Sequence, residues 1–413
     1  MTATRFNPFS AEFRQDPYPM YENLRDTRPV HRTLGMWVLT RHRDVRTVLR
    51  DRSFSAGLIP ELVNRQANRV SGAEVEGDRV ARIGRLGRKS LVFTDNPDHA
   101  RLRGVVNRVF TTQEIGNLRP NIEAEVDKLI QRAWDDGGMD AIADFAAQLP
   151  VTVLCDWMAL PAPLREQVAG WTHDIRFLLE PGLMKAEDFT RVGEVTEIFA
   201  AALEEILAQR RARPGTDLIS RLLAAETGSG DRLTPEELVF ICIMCFVAGN
   251  ETTTSLIGNC LLALLRHPAQ AELLHDRPTE LAAGAVAEAL RYDCPLQLTK
   301  RLATVDVEIG DKRIGAGEQV LLCLGAANRD PQVFARPTEF DITREPGPHL
   351  AFGYGMHGCL GGALAQLQAE IAFDRLFRRP ERLLPVTDEL DWQDHSFIVR
   401  GLKHLPVVVK ATS

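Results

Sequence analysis

Phe352-Gly-Tyr-Gly-Met-His-Gly-Cys-Leu-Gly-Gly362 leads a single cysteine out of a glycine-rich loop towards the start of a helix. Three glycines between Phe352 and Gly358 permit positive φ and close backbone approach, and residues 363–377 carry apolar side chains at helical spacing. The sulfur is therefore expected at a helix N-terminus. Unpaired N–H groups and the positive end of the helix dipole favour the thiolate, the form of cysteine that binds metal. Gly361 and Gly362 leave room for a flat cofactor. A buried structural cysteine beside a capping turn is the alternative, and the loop alone leaves both open.

The rest of the chain bounds what such a cysteine serves. Its 413 residues exceed one simple core, and 45% hydrophobic with 25% charged residues is an ordinary globular balance. A net charge of −7 argues against nucleic-acid binding. No secretory signal opens the chain, and the longest apolar run, 238–249, is short for a membrane span. A cytoplasmic protein, monomeric and without a membrane anchor, is expected. Seven scattered cysteines form no disulfide framework, and Cys242 and Cys245 read as core residues of an apolar helix rather than a zinc or redox pair.

Helical patterns dominate. Short helices are expected at 20–25 and 42–50, a strand pair near Val30 and 36–40, an irregular lid over 53–91, and mostly helix from 111 to 211. Strands return at 305–309, 318–324 and 397–409. The fold class is mainly α with a small β region. The longest helix spans 235–266: Thr234 caps it, Pro235 takes its first position, Glu237 completes a capping box and Pro268 closes it. At its centre Ala248-Gly-Asn-Glu-Thr-Thr-Thr254 sets an amide, an acid and three hydroxyls in what is expected to be its most buried part. Such a break of local rules in a core helix marks a working site, although a paired core carboxylate and a back-bonding threonine are the plainer reading. Pro97 opens another helix that sets His99 and Arg103 one turn apart, two donors suited to a carboxylate. Glu288 and Arg291 stand at i and i+3 on a helix ending near Tyr292.

Taken in order, these stretches resemble the cytochrome P-450 family of haem-thiolate monooxygenases. Phe352, Gly355, His357, Cys359 and Gly361 fit its Phe-x-x-Gly-x-(Arg or His)-x-Cys-x-Gly signature, and residues 248–253 fit its Ala-Gly-x-(Asp or Glu)-Thr-Thr motif. Glu288-Ala-Leu-Arg291 falls where the family has Glu-x-x-Arg. The resemblance implies one P-450 domain over 1–413, with a β-containing lobe at 17–60, 295–325 and 385–413 and a long central helix crossing the haem. It implies haem b with Cys359 as axial ligand of the iron, a thiolate whose electron push favours O–O cleavage; this family is the usual example of that effect. By the same resemblance His99, Arg103, Arg301 and His357 bind the propionates. His349, Phe352, Gly353, Gly361, Ala248 and Gly249 make further cofactor contacts. Glu251 and Thr252 become the catalytic pair, Thr252 holding the O2 co-substrate and Glu251 passing protons to it from solvent. Gln366 and Glu339 stand where many members carry arginine, which leaves the third partner of Glu288 and Arg291 open. His357 replaces the commoner arginine.

The implied reaction inserts one oxygen atom of O2 into a substrate by hydroxylation or epoxidation. With no nucleotide-binding turn and no cysteine cluster, electrons come from external NAD(P)H through a reductase and a ferredoxin, for which Arg101, Arg108, Arg375, Arg378 and Arg379 are the expected contacts. The family's layout draws the substrate pocket from Val92, Phe93, Phe177, Leu178, Phe246, Val247, Leu296, Leu298, Phe397 and Ile398. These suit a medium-sized hydrophobic molecule, such as a polyketide or terpenoid tailored in secondary metabolism. Arg79, Arg82, Arg85, Arg88 and Lys89 in the lid suit an acidic or carrier-bound substrate. A peroxide-driven haem-thiolate oxidase and a haem sensor are the alternatives.

Overall fold

The computed structural model describes residues 6–57, 66 and 89–411. The lid expected over 53–91, with Arg79, Arg82, Arg85 and Arg88, lies largely outside these residues. Helices predominate among them, and the strands are short. The chain divides into two compact units, one formed by residues 1–54, 119–150 and 251–413, the other by 55–118 and 151–250.

The first unit holds the sheets. Four of the five strands of its main sheet run Val30–Thr33, Met36–Leu39, Gln319–Cys323, Leu298–Ala303, with the second and third parallel and the other pairs among them antiparallel. One face is apolar: Val38, Leu298, Leu321 and Cys323 join Phe6, Phe13, Tyr21 and Leu24 in a buried cluster. Its aromatic rings meet edge to face, Phe13 lying 5.6 Å from Phe6 and 5.4 Å from Tyr21. The strand expected at 305–309 is Val307–Ile309, paired with Lys312–Ile314 in a separate hairpin, whereas Leu298–Ala303 is an additional strand that carries Arg301 opposite Val320.

The strand expected at 397–409 is divided. Leu402–His404 pairs with Asp391–Trp392, whereas Pro406–Lys410 enters a separate sheet with Gly138–Asp140 and Arg382–Pro385. Between the two, the N–H of Leu405 donates to the Asp140 carboxylate and its carbonyl accepts from Ala141, so the chain is held as it changes sheet. Gly138–Asp140 interrupts the region expected to be helical. A Cβ on Gly138 would come within 2.6 Å of the Val407 carbonyl, so the pairing depends on glycine there.

The second unit is helical and its core is aromatic, with Phe199 set 5.1 Å from Trp171 and 5.7 Å from Phe246. Its helix Asp98–Val106 starts one residue after Pro97.

The helix Pro235–Arg266 has the expected bounds and runs from one unit's residues into the other's. Its capping box is present: the Glu237 N–H donates to Thr234 Oγ1 (3.3 Å) and the Thr234 N–H to Glu237 Oε2 (2.9 Å). By length and composition this helix could cross a membrane, yet 61% of its most apolar window is buried within the protein. Its central stretch is not its most buried part. Residues 238–244 and 255–264 are buried, whereas Ala248, Gly249, Asn250, Glu251, Thr252 and Thr254 are half-buried. Cys245, Ala248, Gly249 and Thr252 share one face at i, i+3, i+4 and i+7, a face that packed side chains only partly cover. The desolvation cost expected for Glu251 and Thr252 is correspondingly smaller. The helix stays α-helical throughout.

Candidate active site

The cysteine loop is wound by its own backbone. The Cys359 N–H donates to the Phe352 carbonyl (2.8 Å), the Gly353 N–H to Leu350 (2.9 Å) and the Gly358 N–H to Gly355 (3.1 Å). Gly355 has φ +74°, and a Cβ there would stand 2.8 Å from the Leu49 carbonyl, so both conformation and packing require glycine. Gly353, Gly355 and Gly358 also have Gly-x-Gly-x-x-Gly spacing, but no strand leads into them. They serve the cysteine loop.

The following helix starts at Gly362 with Gly361 as its N-cap, so Cys359 lies two residues before the cap. Of the seven cysteines only Cys359 is exposed. Cys242 is buried in the long helix, and burial pushes the Cys245 thiol up to about 12. The two glycines after Leu360 have different tasks. Gly362 makes room for the Phe352 ring, which a Cβ would meet at 3.3 Å, whereas a Cβ on Gly361 would meet nothing within 4 Å.

His349 is packed beside this loop, its ring 5.9 Å from that of Phe352. Burial, with Arg291 nearby, lowers its pKa and keeps the imidazole neutral, and its buried Nδ1 has no hydrogen-bond partner among the described residues. Arg301 is nine-tenths buried on its strand, and its Nη1 donates to the Lys300 carbonyl (2.7 Å) and Thr299 Oγ1 (3.3 Å). An exposed thiol, an open flank at Gly361 and a buried ring nitrogen in need of a partner fit a flat, carboxylate-bearing group held by one thiolate. Among the described residues no cluster of three or more His, Cys, Asp or Glu could hold a metal ion.

In the second unit His99 is buried, and Arg103 donates from Nε to Asn107 Oδ1 (3.0 Å). On the long helix Glu251 Oε1 meets His395 Nε2 at 2.5 Å, a contact that sequence reading missed. Nothing in the sequence signals it across a separation of 144 positions.

Of the residues expected at the substrate, Phe246 and Val247 are buried in the second unit and Leu298 in the cluster under the main sheet. Phe397 and Ile398 pack against that same cluster, Phe397 lying 4.9 Å from Phe9 and under the Lys300 ammonium at 4.8 Å. Phe397 also lines a small cavity with Phe13, Trp392 and Arg400. Leu296 is half-buried and bridged to Val399. Phe93 is buried, Val92 is 40% exposed, and Phe177 lies in the turn Arg176–Leu179 with the Arg176 guanidinium 4.5 Å from its ring. The side chain of Leu178 lies outside the described set.

The basic contacts are also mostly committed. Arg101 is forked onto Glu237, Arg375 pairs with Glu123 (3.0 Å), Arg378 with Asp374 (2.9 Å), and Arg379 lies over Trp134 at 5.6 Å. Arg108 is exposed.

The open third partner is Arg344. Its Nε lies 3.1 Å from Glu288, whose carboxylate also grips Arg291 at 2.7 Å, both side chains being 2% exposed. Arg291 then donates to the carbonyls of Asn328, Pro337 and Glu339.

Comparison with known proteins agrees with this arrangement. The Cytochrome P450 family matches residues 172–277 and 279–405. Cytochrome P450 107B1 of Saccharopolyspora erythraea is 38% identical over 97% of this chain and 96% of its own, and the vitamin D(3) 25-hydroxylase of Pseudonocardia autotrophica is 36% identical over 97% and 96%. The crystal structure of P450BioI with an acyl carrier protein bearing hexadec-9Z-enoic acid superposes with a TM-score of 0.87 at 32% identity, covering 97% of this chain and 99% of that one. The chain therefore belongs to the cytochrome P450 family and is a monooxygenase, an oxidoreductase that uses haem iron and O2.

Proposed function

We propose that the protein inserts one oxygen atom of O2 into a medium-sized hydrophobic substrate, tailoring a secondary metabolite such as a polyketide or terpenoid, with electrons delivered by a ferredoxin from NAD(P)H. The observation that carries this reading is Cys359, the one exposed cysteine, set at the end of a glycine loop in front of a helix. The haem supplies, when bound, the reductive activation of O2 and the transfer of one of its atoms. Cys359 Sγ would ligate the iron, His99, Arg103, Arg301 and His357 would donate to the propionates, and His349 would make a further cofactor contact.

Thr252 Oγ1 holds the oxygen to be protonated, and Glu251 brings the proton to it. Their half-burial on an otherwise buried helix supports this division of labour, since a relay needs both access to solvent and a site that limits it. Directed delivery decides whether reductant yields product or peroxide. A relative named for hydroxylating vitamin D(3) supports an apolar substrate, and a structural neighbour seen with a loaded acyl carrier protein supports a carrier-bound one.

The reading is tested by Cys359→His. The variant is expected to lose the red-shifted band of the reduced carbonyl complex, and a persisting band would mean that another residue binds the iron. Candidate substrates are found by the optical shift that follows displacement of the iron's water.

A further inference from the structure

The long helix carries Glu251, Ser255 and Asn259 at i, i+4 and i+8, one polar stripe on an apolar element. Each member touches the segment 395–401. Glu251 Oε1 meets His395 Nε2 at 2.5 Å. Ser255 Oγ lies so close to Gly401 that no Cβ fits there. Asn259 Nδ2 donates to the carbonyls of Arg400 and Asp293, each at 3.1 Å.

The segment is braced from within as well. Ser396 Oγ accepts from the N–H of Val399 (2.9 Å), and Gln393 Nε2 donates to the Val399 carbonyl (2.9 Å). The Arg400 guanidinium pairs with Asp293 (3.0 Å) and stacks 3.5 Å over Trp392. His395 is thus presented to Glu251 by a fixed turn, in register with the helix. Of the two side chains the imidazole is the outer one, 26% exposed against 18% for the carboxylate. The charged groups of its own segment are Asp394, held by Lys403 at 3.2 Å, and Arg400, committed to Asp293; Lys403 also reaches Asp391 at 3.6 Å.

We propose that His395 is the solvent-side relay that supplies protons to Glu251. This rests on the role proposed above for Glu251. A proton from water adds to Nδ1, the imidazolium gives its Nε2 proton to Glu251 Oε1, and a carboxylic acid and a neutral imidazole result. Once Glu251 has passed its proton on, the ring loses its Nδ1 proton to water and regains one at Nε2 as the contact opens, and no electron moves. The exposure of the ring permits that exchange, and the short contact leaves no gap for a water between donor and acceptor.

The test compares holoenzymes carrying His395→Gln and Glu251→Gln with wild type. Glutamine at 395 keeps a hydrogen-bond donor for Glu251 but cannot carry a proton through. Product formed per reductant consumed is expected to fall roughly tenfold in His395→Gln, with a raised solvent deuterium isotope effect and with the reduced carbonyl band and ligand optical shifts unchanged. Separately from turnover, the diamagnetic carbonyl complex with 15N-labelled histidine is expected to show a downfield His395 Nε2 proton that vanishes in Glu251→Ala. If Glu251→Gln uncouples while His395→Gln behaves as wild type, the relay is overturned and the role of Glu251 stands. If both behave as wild type, the role of Glu251 falls with it. A His395→Gln enzyme with altered carbonyl band or ligand shifts, or no Glu251-dependent proton, would make His395 a structural brace and overturn the proposal. Should His395→Gln fail to fold, His395→Asn is read in the same way.

Discussion

At the scale of single residues, chemistry and framework separate clearly. Glu288, Arg291 and Arg344 form a charged cluster, one carboxylate between two guanidiniums, whose remaining donors reach backbone carbonyls, so its task is to hold the segment 328–344 against one helix. Glu339, which stands where an arginine was the familiar partner, contributes only its carbonyl, and the guanidinium arrives from Arg344 five positions later. Thr252 has a different character, being a half-buried hydroxyl in the long helix next to an acid. Thr252→Ala is expected to keep the carbonyl band and ligand shifts while product per reductant falls by about tenfold and peroxide rises. Parallel assays of reductant, product and peroxide check this, and coupling near wild type would count against its role.

At the scale of elements, the long helix is anchored by its first turn. Burial raises the pKa of Glu237, but the Arg101 guanidinium and the Thr234 N–H outweigh it and hold the carboxyl below its ordinary range. A carboxyl with a depressed folded-state pKa stabilises the fold above its unfolded pKa, and that stability is lost as pH falls through the folded value. Glu237→Gln is therefore expected to cost about 1–2 kcal/mol near neutral pH, the size of a cap and of a charged hydrogen bond. The deficit should shrink on acidification as the wild-type carboxyl protonates. Urea unfolding of both proteins at stepwise lower pH measures it, and a pH-independent deficit would contradict the ion pair.

At the scale of the whole molecule, 49 Lys and Arg stand among 56 Asp and Glu, so ion pairing limits the cations open to the proposed ferredoxin. Arg101, Arg375 and Arg378 are already paired with carboxylates. Electron transfer from a ferredoxin is therefore expected to slow by roughly fivefold to tenfold in Arg108→Glu and to lose part of its salt dependence, while Arg378→Ala has a smaller effect. Stopped-flow reduction at two ionic strengths decides this. Equal effects of the two variants would return the paired arginines to the docking surface. The same excess of acid and the same ion pairing explain why counting arginines in a sequence overstates a basic face.

What the chain alone determined was the chemistry of local stretches. The glycine loop before Cys359, the capping box at Thr234, the Ala248 to Thr254 break and the paired Glu288 and Arg291 are written within a few consecutive residues, because turns, caps and helix faces are set by short-range sterics and hydrogen bonds. Tertiary structure decided which apolar residues became core, since Leu298, Phe246 and Phe397 look alike in composition and differ only in what packs on them. It also decided the sheet change near Leu405, the arrival of Arg344 at Glu288, and the meeting of Glu251 with His395. Each of those joins groups far apart in the chain, and no local pattern encodes a contact whose energy exists only once the two segments have been brought together.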